Sequence, residues 1–233
     1  MSLPFWEHLD ELRSRLLRVI VALVVTTGIA FFFADWLLAW LMKPSPTEGV
    51  SLIALQPATV FIQSLRISLL GGVVFALPYI LSQVYAFITP GLTDKEKKVF
   101  LFSLYIGTVL FLLGLLFAYY FVVPTALNFF WEYSHRFGVK PSWTIDYYIQ
   151  FVLMFLASFG ICFELPFVMV LLIHFRLISA EQVAAKRPHI IVGLAIIAGI
   201  MTPPDVVSQL LLLVPLWLLF EIALFISKRS FIK

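Results

Sequence analysis

Three carboxylates, Glu7, Asp10 and Glu11, stand in the opening stretch EHLDELRSRLL, followed by Arg13, Arg15 and Arg18 and then by an apolar run. A second cluster comes in FITPGLTDKEKKVF, where Asp94 and Glu96 sit among Lys95, Lys97 and Lys98. Carboxylates pair bidentately with guanidinium, so two acidic sites at one membrane surface suit the capture of an arginine-bearing ligand. Ordinary surface chemistry suits the same residues. Glu11 with Arg15 and Asp10 with Arg13 fall at helical spacing, each pair worth about 0.2–0.5 kcal/mol. An exposed ion pair contributes only about 0–1 kcal/mol, so a peptide held there needs apolar contacts too.

Glu164 poses a different problem. Seventeen uncharged residues precede it from Tyr147 and nine follow before His174. An acid at that depth in a membrane costs about 2.5–3.5 kcal/mol, so it has to face protein or water. Ala157, Gly160 and Ile161 on neighbouring turns suggest a small-residue groove for a partner helix. A hydrogen bond to Gln209 or Gln83 is the structural alternative. Asp205, in MTPPDV, is placed to cap the helix that follows it. Glu221 reads as an interfacial acid without an assigned role.

Catalytic and metal chemistry find no footing. The single Cys162 lies in an apolar run, and His8, His135, His174 and His189 fall near membrane boundaries. G-x-S-x-G, H-E-x-x-H and Walker A patterns are missing, so no enzyme, cofactor or metal is expected. A net charge of +3 without a basic block gives no case for nucleic acid. A lone intramembrane acid leaves one rival reading, a proton-coupled transporter or channel using Glu164. Such proteins usually carry repeats and several midplane polar groups, and neither is evident here.

The elements that must position these residues are membrane helices. The chain is 62% apolar and 12% charged, with a mean hydropathy of +1.02, well above soluble domains. Apolar runs delimited by charge predict six spans, at about 18–42, 63–89, 99–131, 147–174, 189–202 and 206–227, in one all-α domain. An amphipathic segment over 2–17 precedes them. In it Phe5, Leu9, Leu12 and Leu16 form an apolar stripe opposite Glu7, Asp10, Glu11 and Ser14, which predicts a helix lying in the interface before it bends into the first span. Helices five and six read as short, divided by the Pro203–Pro204 turn. Prolines 78, 124, 166 and 215 predict kinks and a curved, concave bundle. Twelve of the sixteen basic residues fall on the side holding both termini, which the positive-inside rule makes cytoplasmic.

Five motifs, in order, carry a resemblance: HLDELRSRL at 8–16, YAFITPGLTDKEKK at 85–98, FGICFELP at 159–166, KRPHIIVG at 186–193 and TPPDVVSQ at 202–209. Together they resemble the TatC family, the receptor subunits of the twin-arginine translocase. The resemblance implies a multi-pass protein of the prokaryotic inner membrane that binds twin-arginine signal peptides of folded precursors. Glu11 and Glu96 would receive the arginines, with Phe87, Arg13 and Leu12 in the same site. It also implies partners: single-span TatA/TatB-type subunits met by a concave face holding Glu164, with Gln209 and a functionally sensitive Asp205 nearby. Membrane lipid, self-association and export driven by the proton motive force complete the expectation.

Overall fold

The computed structural model describes residues 5–44, 52–91, 93–139 and 141–230, with the side chains of 5–8, 91, 95, 96, 229 and 230 outside that description. The sequence reads as one domain, but the chain folds as two compact units, Met1–Lys43 with Ala54–Thr108 and Pro44–Ile53 with Val109–Lys233. Lipid removes most of the hydrophobic drive that gathers soluble helices about one core, so close local crossings organise each unit.

In the first unit, α1 (Phe5–Phe32) packs against α3 (Thr59–Ile88), with the short α2 (Ala34–Leu41) between them in sequence. Nothing after Pro4 breaks the helix, so the amphipathic segment and the first span form one uninterrupted element. The predicted division between interface helix and span is not seen; a break falls instead at Phe33 (φ −103°, ψ 10°), inside the predicted 18–42 span. The crossing is held by small residues. Thr26 Oγ1 donates to the Gly72 carbonyl at 2.9 Å, and a Cβ on Gly71 would meet Ala30 Cβ at 3.3 Å. The helix α4 (Asp94–Phe117) begins in this unit after a 3-10 turn at Thr89–Gly91.

The second unit takes up α4 from Val109 and continues through a π turn (Ala118–Val122), α5 (Val123–Arg136), α6 (Ile145–Cys162), α7 (Glu164–His174), α8 (Ala180–Ala185), α9 (Arg187–Met201) and α10 (Val206–Ser230). Two of the four flagged prolines coincide with irregular turns. Pro124 follows the π turn, and Pro166 sits just after the α6–α7 break at Phe163. Pro78 and Pro215 lie inside unbroken helices. Ile173, Val183, Leu194, Phe220 and Leu224 form an apolar cluster across α7 to α10.

One expectation needs correcting. The sixth helix is not short: α10 has 25 residues, and Glu221 within it pairs with Arg187 at 3.0 Å. The fold is all-α, as expected, with one brief pairing between helices: Leu52–Ile53 and Trp143–Thr144 run in parallel as β1 and β2, satisfying backbone groups there.

Among the described residues, five helices are long and apolar enough to cross a membrane: Leu9–Phe32, Thr59–Ile88, Lys97–Arg136, Ile145–His174 and Val206–Lys228. Arg187–Met201 is a shorter apolar helix, about 22 Å at 1.5 Å per residue. Its shortness follows from the prolines beyond it. Pro203 and Pro204 supply no N–H, so the last carbonyls of α9 need other donors. Ser158 Oγ donates to the Met201 carbonyl at 2.5 Å, and Thr202 Oγ1 to the Ala198 carbonyl at 2.8 Å.

Candidate functional site

Glu11 and Arg15 lie one turn apart on α1, and their pairing goes beyond a surface contact. Arg15 Nε donates to Glu11 Oε1 at 2.9 Å, and both side chains are mostly covered, 18% of Arg15 and 23% of Glu11 remaining exposed. The same guanidinium reaches the end of α3, where Nη1 donates to Gln83 Oε1 at 3.4 Å and Nη2 to the Ala86 carbonyl at 3.2 Å. The sequence explains why that carbonyl is available. Its helical donor would be the N–H of residue 90, which is Pro90 and has none. The C-terminal end of α3 also carries the negative end of the helix dipole, which favours a cation. Carboxylate, amide oxygen and orphaned carbonyl thus converge on one guanidinium.

Phe87 follows Ala86 and is half-buried. The turn beyond it is fastened by Tyr85, whose ring stacks on Phe100 at 6.0 Å and whose carbonyl accepts from Thr89 Oγ1 at 2.5 Å. An apolar groove of about 250 Å³ opens beside this end of α3, lined by Pro78, Leu81, Ser82, Tyr85, Leu101, Leu104, Tyr105 and Thr108. Leu12 is 45% exposed and Arg13 is exposed, so neither is committed to a core. Asp94 pairs with Lys97 at 3.0 Å but is 95% exposed, the solvated surface pair that the spacing suggests. Glu96 belongs to the first turns of α4, and its side chain lies outside the described residues.

Glu164 opens α7 immediately after the break at Phe163 and is half-buried within the span Ile145–His174. Among the described residues it has no hydrogen-bond or ion-pair partner. Both structural partners that the sequence suggests are engaged elsewhere: Gln83 with Arg15, and Gln209 through Nε2 to the Ala195 carbonyl at 3.0 Å. The small-residue groove is not open at Gly160 either. A Cβ there would meet the Phe111 ring at 2.9 Å, so α4 already fills that face, while Ile161 stays 51% exposed.

Asp205 caps α10, its Oδ1 accepting from the Ser208 N–H at 2.7 Å. Asp205→Ala should lower stability by about 1 kcal/mol. A lower unfolding midpoint in detergent, largely restored by Asp205→Asn, would show it. Glu221 is the residue whose partner sequence reasoning missed, because Arg187 lies far from it in the chain.

Helices this long and apolar define a helical, multi-pass membrane protein. The chain matches the family described as Sec-independent protein translocase protein (TatC) over residues 7–215. It is 40% identical over 231 residues to the TatC of Aquifex aeolicus, covering 98% of this chain and 96% of that one, and 36% identical to that of Escherichia coli, covering 97% and 88%. It superimposes on the crystal structure of a twin arginine translocase receptor, TatC, in detergent, with a TM-score of 0.86, 39% identity, and coverage of 94% of this chain and 99% of that one. The chain belongs to the TatC family. It is a subunit of a Sec-independent protein translocase, a transport component and not an enzyme.

Proposed function

We propose that this subunit is the receptor for signal peptides bearing paired arginines, with Glu11 as one of the groups that binds them. The observation that carries the reading is the convergence of Glu11, Gln83 and the Ala86 carbonyl on a guanidinium at the end of α3. Phe87 on the same helix and Glu96 on α4 complete the receptor surface, with Arg13 and Leu12 beside it. The groove lined by Tyr85 and Leu101 offers the apolar contact that charge pairing alone cannot replace. The likeness to a structure described as a twin arginine translocase receptor supports the same assignment.

In this reading the chain crosses the prokaryotic inner membrane six times, α9 included, with both termini and the α3–α4 turn in the cytoplasm. Basic residues gathered at those positions support that orientation. Single-span TatA/TatB-type subunits assemble on it, Glu164 being the polar group they meet, and transport of folded precursors draws on the proton motive force. Gln209 and Asp205 hold the α9–α10 hairpin in shape for that assembly.

The test is binding of a fluorescent twin-arginine signal peptide to the purified protein, beside the same peptide with both arginines changed to lysine. Tighter binding of the arginine peptide, weakened about tenfold by Glu11→Gln, is the result expected for loss of one charge-assisted pair worth about 1.5 kcal/mol. Equal binding of the two peptides, or full affinity in the variant, rejects the assignment.

A further inference from the structure

We propose that the acceptor set of Glu11, Gln83 and the Ala86 carbonyl is a guanidinium seat which the chain's own Arg15 fills while no ligand is bound, and that a signal arginine enters by displacing it. This rests on the receptor reading and adds how the site is regulated and why it selects arginine. Three features point to a built seat. Its acceptors come from two helices and join a carboxylate with two amide oxygens. Pro90 leaves one of them without a helical donor. A planar fork with several N–H groups can serve all three together, which a lysine ammonium on a narrower reach cannot do as well.

An internal occupant has a physical consequence. A mostly covered carboxylate left empty beside the membrane would attract any cation, whereas one already paired releases its site only to a ligand that replaces every bond it breaks. Arg15 therefore discourages weak cations and lowers the apparent affinity of the proper ligand by the strength of its own pairing. Arg15 is a specificity-determining residue in this scheme. It remains tethered on α1 when displaced and returns when the peptide leaves, so the exchange is reversible without chemistry.

The alternative is that Arg15 only ties α1 to α3, and the two roles differ in sign. For an occupant, Arg15→Ala vacates the seat and tightens binding of the twin-arginine peptide by about three- to tenfold, the factor set by a partly covered ion pair. Millimolar methylguanidinium refills the seat and takes that gain away, while raising the melting temperature of the variant more than that of the wild type. For a tie alone, Arg15→Ala weakens the peptide and methylguanidinium strengthens it. Gln83→Met, which removes one acceptor at similar volume, narrows the preference for arginine over lysine if the seat reads the fork. Binding weakened in Arg15→Ala, with selective binding by the wild type, overturns displacement and leaves the receptor reading standing. Wild-type protein that ignores the difference between arginine and lysine overturns both.

Discussion

Gly72→Val should leave almost no folded protein, while Gly28→Val, on the helix that Gly72 touches, should express and melt like the parent. A Cβ at Gly72 would lie 2.7 Å from both Cα and N of Thr27, and it would collide with Thr27 Oγ1 as well. The obstacle is backbone, so no rotamer change relieves it. Either the helices separate, losing the Thr26 hydroxyl bond to the Gly72 carbonyl and the contact of Gly71 with Ala30, or the chain stays strained. Overpacking costs about 1–3 kcal/mol, occasionally more, where neighbours can shift, and a backbone-limited crossing belongs at or above the top of that range. About 3 kcal/mol is more than a hundredfold in the folded-to-unfolded ratio, enough to unfold a marginally stable subunit. A Cβ at Gly28 meets nothing within 4 Å, so the same change there adds only a lipid-facing side chain. Size-exclusion profiles and melting curves of the two variants in detergent decide the matter. Equal behaviour would mean that the α1–α3 crossing does not hold this unit together.

The consequence reaches the proposed receptor site, because the same two helices hold Glu11 against the end of α3. Thr26 and Gly72 fix the crossing near mid-span, and Arg15 fastens it at the other end through Gln83 and Ala86. A loosened crossing displaces the carboxylate even though no site residue is changed. Variants at Gly72 that survive should therefore be assayed for stability before any loss of peptide binding is assigned to chemistry.

Much of this was legible in the sequence, for reasons that can be named. Apolar runs long enough to span lipid must be helices, since only internal hydrogen bonding satisfies their backbone there. The Pro203–Pro204 pair marked the end of α9 because proline cannot continue a last turn. The cap at Asp205 followed from its place before an apolar run. Contacts distant in sequence were not legible. Glu221 read as an interfacial acid without a role because nothing local pairs with it, and only the fold brings Arg187 within 3.0 Å. The pairing of Leu52–Ile53 with Trp143–Thr144 is two residues long, too short for any periodicity to register. At the site, spacing alone gave the Glu11–Arg15 pair. Pro90, four residues after Ala86, already marked an unpaired carbonyl, yet which donor would reach it depended on how α1 crosses α3.

Glu164→Gln should cut transport by about thirtyfold or more while leaving the isolated subunit as stable as before, or slightly more stable. The two halves of that statement have one cause. An ionisable group within a span costs about 2.5–3.5 kcal/mol, and a chain normally offsets this with a partner of its own. Among the described residues Glu164 has none, the two glutamines nearest in prospect being bonded to Arg15 and to the Ala195 carbonyl. Removing an acid that nothing inside the subunit compensates should relieve the subunit, not weaken it. A group kept at such expense outside any internal bond is instead available to another chain, and truncating a buried polar partner across an interface costs about 2–5 kcal/mol, the lower figure being close to thirtyfold. The location agrees with that role. Phe163 interrupts the helix just before Glu164, and Pro166 removes the N–H that would close the turn onto the Cys162 carbonyl, so the backbone beside the carboxyl lacks its regular helical bonding. Export of a twin-arginine precursor, crosslinking to single-span subunits, and the melting temperature of the purified protein should be measured on one variant. Lost export with reduced crosslinks and an unchanged or raised melting temperature supports an intersubunit contact. A fall in melting temperature would show that Glu164 is bonded within its own subunit, and normal export would leave the acid without a part in transport.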